Sequence, residues 1–183
     1  SVVLITGIVV DRITDLSELI SSMAEEAENK AFEAIARFQP VASDLRVIKS
    51  YMKIAYDFAR YGRYALDISY ICKRMVSLEK CKKWIIDYID NMSEKVLEMV
   101  QISIKALKNH DEKLARSISS LEREVDETYF GFLDRLTKTP SATNKCTVAG
   151  VLVVRYLERI ADHAVYICES LVYVVHGERV SLG

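Results

Sequence analysis

Two pairs of acidic residues stand at helical spacing in the second half of the chain. Glu122 and Asp126 lie four residues apart in LEREVDETYF, and Glu158 and Asp162 lie four apart in RYLERIADHA. Residues four apart share one helix face, so each pair could offer two carboxylates to one ion. Such oxygen ligands suit Mg²⁺, Mn²⁺, Ca²⁺ or iron, and no thiolate is nearby to favour zinc. Taken alone, the pattern is more typical of solvated surface charges than of a metal site.

The residues around these pairs argue against catalysis. Di-metal oxidases of the ferritin-like kind need Glu-x-x-His, but Ala161 and Val125 occupy the positions that the histidines would take. His163 directly follows Asp162, so it points to another side of the helix, and we predict a boundary residue rather than a ligand. The sequence also has no glycine-rich phosphate loop and no nucleophile with a positioned base. We therefore predict that the chain is not an enzyme.

The elements that must position these residues are predicted to be long helices. Half of the 183 residues are apolar, and there are only six glycines and two prolines, so turn chemistry is scarce. Breaks are predicted at Gln39-Pro40, at 109–111 and at 139–141. The helices predicted between them span about 14–38, 41–75, 78–108, 111–137 and 143–176. Helices of this length joined by short connections favour an all-α fold of antiparallel bundles.

An internal duplication is indicated by the apolar spacing. Coiled-coil-like 4-3 spacing occurs in the last helix, at Val153, Leu157, Ile160, Ala164, Ile167, Leu171 and Val174. A shift of 99 residues lays an earlier stretch of the same spacing on this one, with Phe58 on Leu157 and Tyr61 on Ile160. We interpret the chain as two copies of one helical unit.

Charge and cysteine usage exclude several classes of protein. Lys plus Arg (25) nearly balances Asp plus Glu (26), so no basic field is available to hold nucleic acid. The longest apolar runs are shorter than the roughly 20 residues of a membrane-spanning helix. The four cysteines show no CxxC spacing, and we interpret them as buried free thiols in a reducing cytoplasm: Cys72, Cys81, Cys146 and Cys168.

Three stretches together resemble the PhoU family. FQPVASDLRVIKSYMKIAYDFARYGRYA (38–65) is similar to the family's QPxAxDLR stretch and the region of its LERIGD motif. LERIADHA (157–164) resembles the second copy of that motif, and EREVDETYF resembles the carboxylate-bearing middle helix. The likeness covers most of 15–176. It implies tandem antiparallel three-helix bundles, with a shortened first repeat at 1–76 and a second at 77–183.

The resemblance also implies a site and a function. Glu122, Asp126, Glu158 and Asp162 correspond to the family's metal-binding acids, with iron, Mg, Mn, Ca or Zn as the ion. The implied role is a non-catalytic cytoplasmic regulator of phosphate uptake. Its partners would be the phosphate transporter's ATPase subunit, a sensor kinase and a second copy of the chain, with membranes reached only through partners and no direct nucleic acid. The alternative is a helical module without a metal, serving another transporter, a potassium channel or a fused DNA-binding domain.

The first repeat departs from the family's pattern. Ala59 and Arg63 stand where the motif's Glu and Asp are expected, and Ser17 and Ser21 stand at the middle-helix positions. Alanine has no donor atom and arginine is a permanent cation, so we predict that this site is lost and that Arg63 supplies a fixed charge. The region before Thr14 is too short for a complete first helix. We expect the open seam to be covered by a second subunit or a missing domain.

Overall fold

The computed structural model describes residues 2–74, 80–139 and 144–183, and in these ranges every regular element is a helix. The helices are α1 (Val2–Phe38), α2 (Ala42–Arg74), α3 (Lys83–Asn109), α4 (Glu112–Arg116), α5 (Ile118–Thr137) and α6 (Lys145–His176). The prediction of an all-α fold is confirmed. None of these helices holds a stretch long and apolar enough to cross a membrane.

The helix ends largely follow the predicted breaks. α1 ends at Phe38 and α2 begins at Ala42, so the break at Gln39-Pro40 is confirmed. His110 ends α3 in the left-handed conformation, with φ 50°. Asp111 then begins α4, where its side chain accepts a hydrogen bond from the Leu114 amide (2.9 Å).

Three predicted boundaries were wrong. α1 begins at Val2 rather than near 14, since the apolar run at the start of the chain is helical. α3 begins at Lys83 rather than 78. The helix predicted at 111–137 is divided at Ser117 into α4 and α5. The remaining break was placed at 139–141, of which 140–141 lie outside the described residues.

The second half of the chain forms a three-helix bundle. α3 and α6 pack along each other, α5 packs against both, and α4 lies on α3 and α6. Their apolar faces form one continuous core, whose fully buried members include Ile85, Met92, Met99, Val125, Phe132 and Leu171. Gly150 lets α6 approach this core closely, because a Cβ there would lie 3.1 Å from Phe132 Cζ.

The first half is a two-helix hairpin that packs on the bundle through α2 and α6. α1 approaches α2 closely at Gly62, where an added Cβ would lie 3.1 Å from Ser17 Cα. Beside this contact runs an open apolar groove of about 620 Å³ between α1, α2 and the Ile104 region of α3. Exposed apolar side chains such as Leu16 and Met23 line it.

The division of the chain into repeats at 76/77 stays a prediction. That boundary falls in 75–79, outside the described residues.

One pair of cysteines contradicts the prediction of free thiols. Cys81 and Cys146 form a disulfide that joins the segment before α3 to the first turn of α6. The two positions are 65 residues apart in sequence, and only the packing of α3 against α6 brings them together. Cys168 is a buried free thiol as predicted, and burial raises its pKa to about 12. Cys72 is also free, but it is only partly buried.

Candidate functional site

The four predicted ligands lie on two neighbouring helices. α5 carries Glu122 and Asp126, and α6 carries Glu158 and Asp162. All four side chains are partly buried, whereas the other acids of α5 are exposed: Glu124, Glu127 and Asp134. In Glu158 only 12% of the side chain is exposed, and in Asp162 only 24%. We call this set the acidic groove.

Burial and neighbouring carboxylates raise the pKa values of Glu122, Glu158 and Asp162. The pKa of Glu122 is raised by burial and by the negative charges of Asp126 and Asp162. Burial and the charge of Asp162 likewise raise the pKa of Glu158. The pKa of Asp162 is raised mainly by burial, against the opposing effect of Arg159, with a smaller raising effect from Asp126. These effects run across the two helices, so the groove gathers negative charge from both.

Two arginines of α6 partly compensate this charge. Arg155 Nη1 donates to Glu158 Oε1 at 2.6 Å, and Arg159 Nη1 donates to Asp162 Oδ2 at 3.3 Å. The second carboxylate oxygen of Glu158, Oε2, is buried without a hydrogen bond, and its nearest cation is Arg159 Nε at 3.9 Å. Four carboxylates therefore face two arginines, and one buried oxygen is free to accept another partner.

The ligand set stays a prediction. In the described parts of the chain, no three His, Cys, Asp or Glu side chains are already positioned together to hold a metal ion. The groove nevertheless fits a cation chemically, since it combines hard oxygen donors, uncompensated negative charge and the unpartnered Glu158 Oε2. Binding would require the carboxylates to exchange their arginine partners for the ion.

The raised pKa values predict the pH dependence of stability. Glu122, Glu158 and Asp162 bind protons more tightly in the folded chain than in the unfolded chain, so their protonation stabilises the fold. This stabilisation is complete below the ordinary pKa values, 4.5 for Glu and 3.8 for Asp, and is lost as the pH rises through the raised values.

We therefore expect acidification from about pH 7 to about pH 5 to raise the melting temperature of the metal-free protein relative to a variant with Glu122→Gln, Glu158→Gln and Asp162→Asn. Melting followed by circular dichroism at both pH values measures the difference. A variant with Glu94→Gln and Glu98→Gln, an exposed pair four residues apart on α3, should behave like the wild type. A fall of the wild type relative to the triple variant would contradict the prediction.

His163 was predicted to lie at the boundary of the buried face of α6, but it lies within that face. Its ring is 8% exposed, and its Nδ1 lies 2.7 Å from Oδ1 of Asp57 on α2, itself 1% exposed. Asp57 was not among the residues predicted to be functional. Its burial could have been predicted from the sequence, because Asp57 stands three residues after Ile54 and four before Tyr61, on the apolar face of α2.

The corresponding positions of the first repeat hold no carboxylate. Ser17 is buried against Gly62, and Ser21 Oγ donates to the Ser17 carbonyl at 2.9 Å. Arg63 pairs with Asp67 on its own helix, with Nε and Oδ2 3.5 Å apart. The loss of a metal site here stays a prediction.

The segment after α6 folds back beside the acidic groove, which the sequence analysis did not foresee. The Leu182 amide donates to Glu169 Oε1 at 3.0 Å. A Cβ added to Gly183 would lie 2.9 Å from Glu122 Oε1. Val180 and Leu182 also pack against the core of the bundle. We call residues 177–183 the carboxyl-terminal segment.

Comparisons with known proteins agree on one family. The family model of the PhoU domain matches residues 9–72 and 89–171. The phosphate-specific transport system accessory protein PhoU homolog of Clostridium acetobutylicum is 35% identical over 170 residues, which are 90% of this chain and 76% of that protein. PhoU homolog 1 of Thermotoga maritima is 27% identical over 91% of this chain and 73% of its own length.

Solved structures give the same result. The crystal structure of PhoU from Pseudomonas aeruginosa superposes with a TM-score of 0.81 at 26% identity, covering 94% of this chain and 83% of that one. The phosphate transport system regulatory protein PhoU from Streptococcus pneumoniae shares the fold, with a TM-score of 0.73 at 22% identity. The chain belongs to the PhoU domain family.

Proposed function

We propose that this protein is a non-catalytic regulator of phosphate uptake whose acidic groove binds a metal ion. The observation that carries the metal role is the partly buried set of four carboxylates on α5 and α6. In this set the pKa values of Glu122, Glu158 and Asp162 are raised, and one buried oxygen of Glu158 has no hydrogen-bond partner. The regulatory role rests on family membership, because the similar proteins are named accessory proteins of the phosphate-specific transport system.

Glu122, Asp126, Glu158 and Asp162 would hold the ion. The ion would neutralise repulsion in the groove and stiffen the α5–α6 face for a partner. A hard cation suits these oxygen donors, with Mg, Mn, Ca or iron favoured over zinc. We place this protein in the cytoplasm. Its partner, bound through the α5–α6 face, would be the transporter's ATPase subunit or a sensor kinase. Co-purification with the ATPase subunit tests the first of these partners.

Removing two ligands is expected to abolish metal binding. In a variant with Glu158→Gln and Asp162→Asn the groove keeps its shape but loses half of its negative charge, so we expect the purified protein to carry no bound metal and to keep its helicity. Metal in the wild type should raise its melting temperature, because a ligand that binds only the folded state stabilises it. Elemental analysis and melting curves with added Mn²⁺ measure both effects.

The variant with Glu94→Gln and Glu98→Gln is the matched control for metal binding. It removes the same formal charge from an acidic pair of the same spacing, on an exposed face of α3. We expect it to bind metal like the wild type. Equal metal content in the groove variant and the wild type would refute the site.

A second candidate function is favoured by the arginine pairs. Arg155 and Arg159 already engage Glu158 and Asp162, and a groove closed in this way would serve only as part of a helical interaction module. The absence of metal from wild-type protein purified without chelators would favour this function.

We further propose a homodimer formed through the apolar groove beside α1. Leu16, Met23 and Ile104 are each about half exposed, and all three line this groove. Together they form a contiguous apolar patch, whereas a free surface usually carries scattered single apolar side chains. Light scattering measures the molar mass in solution, and a monomer at micromolar concentration would refute this proposal.

A further inference from the structure

A second concave site lies at Glu169, two turns along α6 from Asp162 of the acidic groove. α2, α6 and the carboxyl-terminal segment enclose a cavity of about 220 Å³. Three cationic side chains line it: Lys49 and Lys53 from α2, and Arg179 from the carboxyl-terminal segment. Ser50, Ser170, Tyr173 and Val180 complete its wall together with Glu169. We call it the cationic pocket.

The cationic pocket carries a net positive charge. Across residues 2–74, 80–139 and 144–183, no carboxylate forms an ion pair with Lys49, Lys53 or Arg179. Glu169 is the one acid of the wall, and its Oε1 accepts the Leu182 amide. Three cations against one carboxylate give the cavity a positive potential, which concave walls of low dielectric strengthen.

Aromatic rings contact two of the three cations. The Lys53 ammonium lies 5.0 Å from the centroid of the Tyr166 ring, and the Arg179 guanidinium lies 5.8 Å from that of Tyr173. Such contacts fix the direction of a charge without neutralising it. The charges of the pocket are therefore oriented and remain available to an anion.

A neighbouring arginine, Arg46, lies at the carboxyl end of α6, where the helix dipole is negative. Arg46 also contacts the Tyr173 ring, at 5.7 Å, and its Nη1 is 2.4 Å from the position that a Cβ on Gly177 would occupy. A cation at the carboxyl end of a helix compensates the helix dipole. Since Arg46 already lies at this end of α6, the dipole alone does not account for the additional Lys49 and Lys53 at the pocket.

We propose that the cationic pocket binds a phosphate group. Two ammonium groups and a guanidinium can donate charge-assisted hydrogen bonds to the oxygens of a tetrahedral dianion, and the neighbouring hydroxyl-bearing side chains add polar surface. The cavity is smaller than the roughly 300–1,000 Å³ of pockets for drug-sized ligands, so the ligand is inorganic phosphate or the phosphoryl group of a small ester.

Phosphate in this pocket would fasten the carboxyl-terminal segment. Arg179 comes from that segment, whereas Lys49 and Lys53 come from α2, so one anion bridges the two. The same segment is hydrogen-bonded to Glu169 of the pocket wall, and its Gly183 lies close to Glu122 of the acidic groove. Binding would therefore order the residues that border the predicted metal site.

Titration calorimetry on the chelator-treated full chain tests the pocket. We expect saturable binding of inorganic phosphate or of phenyl phosphate at constant ionic strength, and the tighter of the two assigns the free anion or the ester. A variant with Lys49→Gln and Lys53→Gln, and separately Arg179→Gln, should bind about tenfold or more weakly, because each removes charge-assisted hydrogen bonds.

A variant with Lys105→Gln and Lys108→Gln is the matched control, since it removes two exposed lysines from α3. We expect it to bind like the wild type. No saturable binding of either ligand at millimolar concentration, or equal weakening in control and pocket variants, would overturn the proposal.

Binding that appears only after metal is restored would assign the anion to the acidic groove and would also overturn the proposal. The variant with Glu158→Gln and Asp162→Asn should keep its phosphate affinity. Failure of the metal site and failure of the pocket are therefore distinguishable.

Discussion

Replacing Phe132 by alanine is expected to lower the free energy of unfolding by about 4 kcal/mol, because it deletes the largest fully buried side chain and leaves a cavity. The ring lies on α5 with its centroid 5.5 Å from that of Trp84 and 5.7 Å from that of Tyr88, both on α3. Gly150 of α6 closes the third side. The ring therefore contacts all three helices of the bundle, and no single side chain can collapse into the space that it leaves.

Phe130 provides a matched control on the same helix. Its side chain is 61% exposed, so Phe130→Ala removes the same atoms from solvent rather than from the core. We expect a change within about 0.5 kcal/mol. Urea unfolding followed by far-ultraviolet circular dichroism measures both variants. A loss below about 1 kcal/mol for Phe132→Ala would mean that the bundle core is not packed as described.

The helices and their packing faces could be predicted because both depend on local sequence. Proline and left-handed residues end helices where they stand, so the break at Gln39-Pro40 and the turn at His110 were foreseeable. The interruption at Ser117 was not foreseeable from the sequence, because Ser117 has ordinary helical dihedral angles and its side chain does not cap α5. Only the packing of α4 against α6 distinguishes that point from the middle of a helix.

The candidate site could be predicted in part for the same reason. A spacing of four places Glu158 and Asp162 on one face of α6, and the family resemblance adds the pair on α5. Contacts between segments distant in sequence were beyond such reasoning. The Cys81–Cys146 disulfide joins positions 65 residues apart, and the approach of Leu182 to Glu169 depends on how the chain turns after Gly177. Spacing within one helix carries no information on either contact.

The acidic groove and the cationic pocket are adjacent regions of one α6 surface. Asp162 belongs to the groove and Glu169, two turns later, to the wall of the pocket. The carboxyl-terminal segment touches both, through Glu122 and through Arg179. A cation in the groove and an anion in the pocket would therefore act on the same segment from its two sides. This arrangement supplies a physical route by which two ligands could influence each other.

Replacing His163 by alanine is expected to cost about 3 kcal/mol or more, because it leaves the Asp57 carboxyl without a partner in the protein interior. Asp57 Oδ1 has His163 as its hydrogen-bond partner, and Oδ2 is buried with none. Removing the imidazole would strand both oxygens between α2 and α6. Urea unfolding of the wild type and the variant measures the loss.

His176→Ala is the control for the loss of a histidine–carboxylate pair. His176 also pairs with a carboxylate, that of Glu112, but its side chain is 53% exposed. Exposed pairs contribute roughly 0–1 kcal/mol, so this substitution should change stability little. Equal effects of the two histidine substitutions would contradict a special role for burial.

A double variant separates the value of the pair from the cost of breaking it. With Asp57→Val and His163→Leu together, no polar group of the pair is left unpaired, and apolar side chains of nearly the same volume fill the same interface. Buried pairs replaced in this way often lose little stability or gain some, so we expect the double variant to exceed the His163→Ala variant by about 3 kcal/mol. A double variant as unstable as the single one would mean that α2 and α6 need this hydrogen bond for their packing. Since α2 is the helix that attaches the α1–α2 hairpin to the bundle, that loss would appear as early unfolding of the hairpin.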